Sequence, residues 1–381
     1  MSITIKEALE MECFKDFKVI AGEKGLSNRV RKVGILDYEI KELIEKNFVE
    51  GEFTLTTLLN IKNNIEELYE IVEALISVGV SGLAIKDIYF DNIPDEVIKL
   101  ANRNSFPIFM FSAAYFEDII TNVVEAIKGK NENEVLVLKI DNILYSDLNN
   151  MMIKKIAYEI NRDFRDRNII VFCKRNSNKN TISPMIDYDN ILDQFNKVIP
   201  YKEGHLIINT FEDIDNNEVN EVILRRLEIL GFSTKEYSIG ISSLHNRLDE
   251  LNYSIKESLY AFQHGITYNR EVSFFNNIGT SKILLPLIDN PWVQRYYDEM
   301  VTPLLIYDKR NDTELLKTAI IYIENNGDIK ATAKDLFQHS NTIRYRIDRI
   351  GKILNNSFES KHFYEELAIA IRVHNLMNRV L

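Results

Sequence analysis

Two short helical patterns joined by a tight break, within Asp328–Leu354, constrain the fold of this chain more than any other feature. Asp328 suits the N-cap of a first helix, IKATAKDLF, because its carboxylate can accept hydrogen bonds from free backbone N–H groups of the first turn. After the break, QHS, a second helix is expected to begin at Ser340 or Asn341, either of which can cap it. One face of this second helix is expected to be buried, because apolar residues recur at helical spacing at Ile343, Ile347, Ile350 and Leu354.

The opposite face of the second helix is polar and basic. It carries Asn341, Tyr345, Arg349 and Lys352, with Thr342 beside them and with Arg344 and Arg346 on the flanks. Two helices joined by about three residues, the second basic on its outer face, are what a helix-turn-helix requires. The outer side chains are expected to reach base edges, and the flanking arginines to reach phosphates. The competing interpretation is a surface helix whose arginines are only solvated, and Phe337 stands where many such turns have glycine.

The rest of the chain is acidic. Its 381 residues carry a formal net charge of -11, which argues against a protein that coats nucleic acid or anionic membrane over its whole surface. Two distant cysteines, Cys13 and Cys173, favour reduced thiols over a disulfide framework or a zinc site. No apolar run is long enough to span a membrane, and the N-terminus lacks the pattern of a secretory signal. A cytoplasmic location is therefore expected.

The first 128 residues alternate short apolar runs with amphipathic helical stretches. Buried strands are predicted at Lys32–Asp37, Glu52–Thr57, Gly82–Lys86 and Pro107–Phe111. This alternation requires crossover connections and predicts a mostly parallel sheet covered by helices. In such a sheet a ligand is expected beyond the carboxyl ends of the strands. The polar residues there are Asp37, Thr56, Thr57, Lys86 and Ser112, whose hydroxyls and single ammonium suit a small polar or anionic effector. The alternative is that the threonines only cap helices or favour strands.

A polar joint is predicted at Lys128–Glu134, followed by a second segment over 131–278. It opens with the apolar run VLVLKIDN and continues as an α+β pattern that contains a hairpin near Tyr201–Leu206. From Gly279 to the C-terminus almost only helical periodicity is found. The predicted fold class is thus multidomain, with α/β, α+β and all-α domains over 1–128, 131–278 and 279–381.

The motif LFQHSNTIRYRIDRIGKIL resembles the C-terminal helix-turn-helix of the PucR/CdaR family of bacterial transcription regulators. The residues that match its pattern are Leu336, Phe337, His339, Asn341, Thr342, Arg344, Tyr345, Arg346 and Ile350. The lead-in PLLIYD and the closing helix FYEELAIAIRVHNLM are also similar. The N-terminal segment, with VIAGEKGLSNRVRKVGILD and EGEFTLTTLLN, resembles the PucR-type regulatory domain, and the middle segment is more weakly similar to a GGDEF-like domain.

An active diguanylate cyclase of the GGDEF type carries glycines and acids in its hairpin, whereas YKEGHL here has Lys202 and Glu203, then Gly204 and His205. With LKIDN placed on the first strand of that fold, Asp141 fills one metal position and Lys139 the other. A lysine ammonium repels a divalent cation, so two-metal catalysis is not expected. The middle segment is interpreted as a scaffold for dimerisation or signal relay, and the alternative is a protein that binds or cyclises nucleotides.

The resemblance implies a ligand-responsive transcription regulator of a catabolic pathway, concerned with purines or related metabolites. It implies no catalytic residue, cofactor or metal. The expected partners are double-stranded DNA, an unidentified small effector, and a second copy of the chain, since one helix-turn-helix reads only a half-site. A third possibility is a scaffold with no role on DNA.

Overall fold

The computed structural model describes residues 2–39, 41–176, 188–354 and 362–377. The described residues form two compact units, one ending at Leu138 and one beginning at Lys139. The boundary between the predicted segments 131–278 and 279–381 does not separate compact units, because both lie in the second one.

The first unit is built on a mostly parallel sheet. The strands of the unit are β1 Ile3–Thr4, β2 Lys18–Ala21, β3 Arg29–Val30, β4 Lys32–Ile35, β5 Glu52–Thr56, β6 Gly82–Lys86 and β7 Ile108–Phe111. Strands β1 and β3 form a separate small antiparallel pair. The main sheet has the order β2-β7-β6-β5-β4, in which β4 to β7 are parallel and β2 is an antiparallel edge. The four predicted strands are confirmed, and β2 was not predicted.

Both faces of this sheet are covered. The helices of the unit are α1 Ile5–Ala8, α2 Lys41–Asn47, α3 Leu68–Val78, α4 Asp95–Arg103 and α5 Phe116–Tyr145, the last of which continues past the boundary between the units. Leu83 and Ile85 of β6 pack in the apolar cluster formed with α2, α3 and α4, whereas Ala84 packs in the opposite cluster, which contains Ile119 and Val123 of α5. Alternate side chains of one strand therefore enter two cores, which is why the strands are continuously apolar.

Helix α5 contradicts two expectations. Residues 128–134 do not break the chain, and VLVLKIDN is not a strand, because both lie inside this 30-residue helix. The lysines and glutamates of the polar stretch are good helix formers. In this stretch and directly after it, Ile140, Ile143 and Leu144 are buried at helical rather than alternating spacing.

The second unit begins with an antiparallel sheet. Its elements up to residue 274 are α6 Asn150–Ile160, β8 Arg167–Arg175, β9 Asn196–Tyr201, β10 Gly204–Phe211, α7 Val219–Ile229, β11 Tyr237–Ile241, α8 Leu251–Thr267 and β12 Val272–Phe274. The order is β12-β11-β8-β10-β9, and only β11 and β12 pair in parallel. The predicted hairpin is confirmed: Tyr201 pairs with Gly204 across a turn made by Lys202 and Glu203.

The remaining elements of the second unit are helices. They are α9 Ser281–Leu284, α10 Pro291–Met300, α11 Thr302–Asn311, α12 Leu315–Glu324, α13 Ile329–Asp335, α14 Ser340–Ile353 and α15 Phe363–Met377. Leu316 and Ala319 of α12, Ile347 of α14 and Leu367 of α15 are buried in one apolar cluster. Within the part of the chain that is described, no helix is long and apolar enough to cross a membrane.

Candidate nucleic-acid interface

The first helix of the predicted pair starts as its sequence indicates. Asp328 is the N-cap of α13, and its Oδ1 accepts hydrogen bonds from the backbone N–H groups of Lys330 at 2.7 Å and Ala331 at 3.1 Å. This confirms the predicted cap, which satisfies two donors that the helix itself cannot. The apolar stripe of α13, which consists of Ile329, Ala333 and Leu336, packs against the helical core.

The second helix begins at Ser340, as predicted, but it is capped by the residue before it. His339 is the N-cap of α14, and its Nδ1 accepts a hydrogen bond of 3.2 Å from the backbone N–H of Asn341. The expectation of a cap at Ser340 or Asn341 was therefore wrong, because both residues already belong to the first turn. The imidazole nitrogen fills the place that a serine or aspartate oxygen usually takes.

The buried face of α14 is the predicted one. Ile343, Ile347 and Ile350 have no exposed surface, and Leu354 is partly buried beyond the helix end. Full burial of such a side chain contributes about 1.5–3 kcal/mol to folding, so these three residues fix which side of the helix faces solvent.

The polar residues of α14 divide into an exposed group and an anchored group. Asn341, Arg344 and Tyr345 are exposed, with 68% of the Tyr345 surface accessible, and Thr342 is half-buried beside them. Lys352 is exposed but forms an ion pair of 2.6 Å with Asp348. We call Asn341, Arg344 and Tyr345 the exposed face of α14.

Arg346 and Arg349 turn back onto neighbouring helices. Arg346 Nη1 donates to the Thr318 hydroxyl of α12 at 3.1 Å, and Arg349 Nε donates to the Tyr307 hydroxyl of α11 at 3.1 Å. The Arg349 guanidinium carbon also lies 5.0 Å from the centre of the Tyr307 ring, in cation–π geometry. Helix periodicity placed both arginines towards solvent, but their long side chains reach partners that lie far away in sequence.

Three exposed cations lie on the two helices of the motif. Lys330 and Lys334 of α13 and Arg344 of α14 are all exposed, and none of the three forms an ion pair with a described residue. Unpaired cations beside a helix N-terminus give a local positive potential. A polyanion can therefore bind at this surface although the whole chain is acidic.

The predicted ligand residues of the first unit lie at or just beyond the carboxyl ends of β4 to β7, as expected. Two of them are engaged inside the protein. The fully buried Thr56 hydroxyl donates to the Leu36 carbonyl at 2.6 Å and accepts from the Leu58 N–H at 2.9 Å. Lys86 Nζ donates to the Ala114 carbonyl at 2.9 Å and lies over the Tyr115 ring.

Ser112, at the end of β7, has internal partners as well. Its hydroxyl donates to Asp87 at 2.5 Å, and the backbone N–H groups of Ser112 and Ala113 donate to Asp16 Oδ2 at 2.9 and 2.6 Å. Burial pushes the pKa of Asp16 up, but the N–H groups of Ala113 and Ser112 outweigh it and hold the pKa below its usual range. The Asp16 carboxylate thus occupies the N–H donors that an anionic ligand would need. The two other predicted residues, Asp37 and Thr57, are half-buried.

A cavity of about 560 Å³ lies at the opposite edge of this sheet, just ahead of the strands' N-terminal ends. Its lining includes Arg29, Arg31, Glu50, Gly51 and Ser81. Arg31 Nη2 forms an ion pair with Glu50 Oε1 at 3.6 Å. The side chain of Arg29 is exposed and has no partner among the described residues. This cavity was not predicted from the sequence, because in a parallel sheet a ligand is expected beyond the carboxyl ends of the strands.

The middle hairpin contacts α5. The Tyr201 hydroxyl donates to Asp141 Oδ1 at 2.7 Å, and Lys202 Nζ contacts the Tyr145 hydroxyl at 3.2 Å. Burial, and then the hydrogen bond to Asp141, raise the pKa of Tyr201. Asp141 and Lys139 lie on α5 and not on a sheet strand. Their assignment to the metal positions of a cyclase was therefore wrong. Lys174 at the end of β8 forms an ion pair with Glu203 of the turn.

Two family patterns match this sequence. Residues 7–127 match the purine catabolism regulatory protein-like family, and residues 315–373 match the PucR C-terminal helix-turn-helix domain. The second match contains α12, α13 and α14, so it includes the exposed face of α14.

Two curated relatives come from Bacillus subtilis (strain 168). The chain is 28% identical to the purine catabolism regulatory protein over 136 residues, which is 35% of this chain and 25% of the relative. It is 34% identical to the proline-responsive transcriptional activator PutR over 115 residues, which is 29% of this chain and 28% of the relative. The matches thus span about a quarter of each relative.

A solved structure, a regulator of polyketide synthase expression from Bifidobacterium adolescentis, is 13% identical and has a TM-score of 0.28, with 63% of this chain and 99% of the other covered. A score this low supports no assignment of fold. The assignment rests on the two family matches: the chain contains a PucR-family N-terminal domain over residues 7–127 and a PucR-type C-terminal helix-turn-helix domain over residues 315–373.

Proposed function

We propose that this protein is a transcription regulator that binds operator DNA through the exposed face of α14. The observation that carries the proposal is the division of that helix: its apolar face is buried, while Asn341, Arg344 and Tyr345 are exposed to solvent. A recognition helix needs this division, because one face must hold it to the domain while the other enters the major groove.

The side chains have different roles in this proposal. Asn341 and Tyr345 contact base edges, where an amide and a phenol can read hydrogen-bond patterns. Arg344 contacts a phosphate. Arg346 and Arg349 each donate one N–H, to Thr318 and Tyr307 respectively, which leaves guanidinium donors for phosphates or bases at the helix flank. Thr342 supports the start of the helix and contacts the DNA backbone.

The regulated pathway is catabolic in this proposal, and the effector is a purine or a related metabolite. This is supported by the names of the two Bacillus relatives, one of purine catabolism and one responsive to proline. The protein acts in the cytoplasm as a homodimer, since a pair of helix-turn-helix units reads a two-fold operator. Effector binding shifts the population of DNA-competent states.

The effector binds in the first unit. Asp37, Thr56, Thr57, Lys86 and Ser112 remain one candidate site, at the carboxyl edge of the sheet. The cavity at the other edge is the better supported one, because Arg29 there has an unengaged guanidinium while the groups of Thr56 and Lys86 are engaged. Guanidinium suits a carboxylate or another planar anion.

The middle part of the chain is a non-enzymatic scaffold of degenerate GGDEF-like type in this proposal. Lys202 in the hairpin turn and Lys174 beside it repel a divalent cation, and within the described ranges no group of three or more metal-ligating side chains is found. The second candidate function is nucleotide binding at this hairpin, since the same lysines can hold phosphates. Incubation with GTP and Mg²⁺ tests the enzymatic form, and measurable turnover would overturn the scaffold assignment.

DNA binding is tested with the intact protein and labelled promoter fragments from its own genome, followed by fluorescence anisotropy. The variant Arg344→Ala/Tyr345→Ala removes two side chains of the exposed face. The variant Arg295→Ala/Tyr253→Ala is a matched control, because it removes the same residue types from α10 and α8, where both are exposed. We expect the first variant to lose specific binding and the control to keep it. Equal binding by both variants would reject α14 as the reading helix.

A further inference from the structure

Phe337, in the turn between α13 and α14, has an unusual combination of backbone conformation and exposure. Its φ is 52°, in the left-handed region, and 94% of its surface is accessible to solvent. A bulky residue is strained in this conformation, because its Cβ lies too close to the following carbonyl oxygen. The turn still closes normally, with Gln338 N–H donating to the Ala333 carbonyl at 2.9 Å, and a glycine would close it without that strain.

A second bulky residue with the same conformation shows what is missing at Phe337. Leu58 has a φ of 58° but is fully buried in the core of the first unit, so burial of its side chain offsets the backbone cost. The ring of Phe337 has no such compensation from the residues that the structure describes. Its neighbour Leu336, not Phe337, packs against the helical core.

The surroundings of the ring indicate what it contacts. Phe337 precedes the N-cap of α14 by two residues, so it lies at the end of the helix that enters the groove in the proposed function. Lys334 is three residues before it and Arg344 seven after it, and both are exposed cations without an ion-pair partner among the described residues. A partner for this surface carries negative charge and apolar C–H groups close together, as nucleic acid does.

We propose that Phe337 is a DNA-contacting residue whose ring packs against apolar C–H groups of the operator, either a deoxyribose or a thymine methyl group. This inference rests on the proposed function and deepens it. It assigns to the turn an apolar contact that complements the charged and polar contacts of the exposed face of α14. The contact gives the exposed ring, in the complex, the burial that Leu58 has within the protein.

The test uses Phe337→Gly in the intact protein, with Phe337→Leu as the conservative variant. Glycine relieves the left-handed strain, so we expect an unchanged or higher Tm together with operator affinity weaker by about tenfold. Leucine keeps an apolar side chain and is expected to restore most of the affinity. The dependence of affinity on salt is expected to stay at the wild-type slope, because the ring releases no counterion.

Two further arms identify the contacted atoms and the partner. The first arm uses an operator with dU in place of dT, which lacks the thymine methyl groups. If Phe337→Gly no longer weakens the affinity for this operator, the ring contacts a thymine methyl. If it still weakens the affinity, the ring contacts a deoxyribose, and both results support the contact. Wild-type affinity in Phe337→Gly would overturn the proposal. So would a shift of that variant from dimer to monomer in sedimentation, since the ring would then contact a second copy. If the wild-type protein itself binds no promoter fragment, the proposed function fails, which is a separate outcome.

Discussion

The exposed face of α14 and the carboxyl edge of the first sheet present similar polar residues but differ in what those residues already bind. Thr56 and Lys86 at the sheet edge have their hydroxyl and ammonium groups hydrogen-bonded within the protein. Arg344 and Tyr345 on α14 are exposed, and Arg344 has no ion-pair partner among the described residues. A polar residue in a suitable place indicates a binding site only if its donors remain available, and sequence periodicity does not reveal that.

The largest expected effect concerns sequence reading by α14. Asn341→Ala and Tyr345→Ala should each reduce discrimination at one or two operator positions by about 1–3 kcal/mol, because each removes a contact to base edges. Competition binding against single-base operator variants measures this. Thr57→Val at the sheet edge is the control. If both α14 variants discriminated between operator bases as well as wild type does, the exposed face of α14 would not differ from the sheet edge in its availability to a partner.

The next effect concerns stability at the sheet edge. Thr56→Val should lower the free energy of unfolding by about 1–3 kcal/mol, since it leaves the buried Leu36 carbonyl and Leu58 N–H without their hydroxyl partner. Thr57→Val should change the free energy of unfolding little, because the half-buried Thr57 hydroxyl has no hydrogen bond to another described residue. Urea unfolding compares the pair. If Thr56→Val were as stable as wild type, the Thr56 hydroxyl would not have the structural role assigned to it.

A smaller effect separates the anchored arginines from the exposed one. Arg349→Ala should cost roughly 1 kcal/mol of stability, because it removes the hydrogen bond and the cation–π contact with Tyr307. Arg344→Ala should cost almost nothing in the absence of DNA. Thermal unfolding without DNA tests both. The division of α14 into two groups fails if the variants are equally stable.

The smallest effect is the pH dependence contributed by Asp16. Its pKa is lowered in the folded state, so the carboxylate stabilises the fold above its unfolded pKa of about 3.9, and this contribution disappears as pH falls through the folded value. The stability difference between wild type and Asp16→Asn should therefore shrink in acid. Glu10→Gln, which changes an exposed carboxylate, serves as the control. If the stability difference between wild type and Asp16→Asn stayed constant from neutral to acid pH, the ionised Asp16 carboxylate would not be stabilised by these hydrogen bonds.

Local patterns predicted the elements that depend on local chemistry. The four parallel strands, the cap at Asp328 and the buried stripe of Ile343, Ile347 and Ile350 follow from alternation, capping chemistry and helical spacing. The segment LKIDN was placed on a strand although it lies in α5, because a short apolar run fits either a strand or a buried helix. The cap at His339 was missed because imidazole is an uncommon capping group.

Contacts between distant segments could not be predicted from one sequence. The partners of Arg346 and Arg349, Thr318 and Tyr307, lie 28 and 42 residues away. Asp16 reaches N–H groups 96 and 97 residues later. Such pairs are set by tertiary packing, and they decide which predicted site residues are available to a partner.

The most direct test of the central claim is the slope of log Kobs against log salt concentration for one operator, measured for wild type, Arg344→Ala and Arg295→Ala. If Arg344 is an unpaired cation that contacts a DNA phosphate, its removal should reduce the magnitude of the slope by about 0.9 for each protomer bound, or by about 1.8 for the homodimer. Arg295→Ala should leave the slope unchanged, since that arginine lies on α10 and pairs with Glu299. The same slope for all three proteins would contradict the claim that the exposed face of α14 binds DNA.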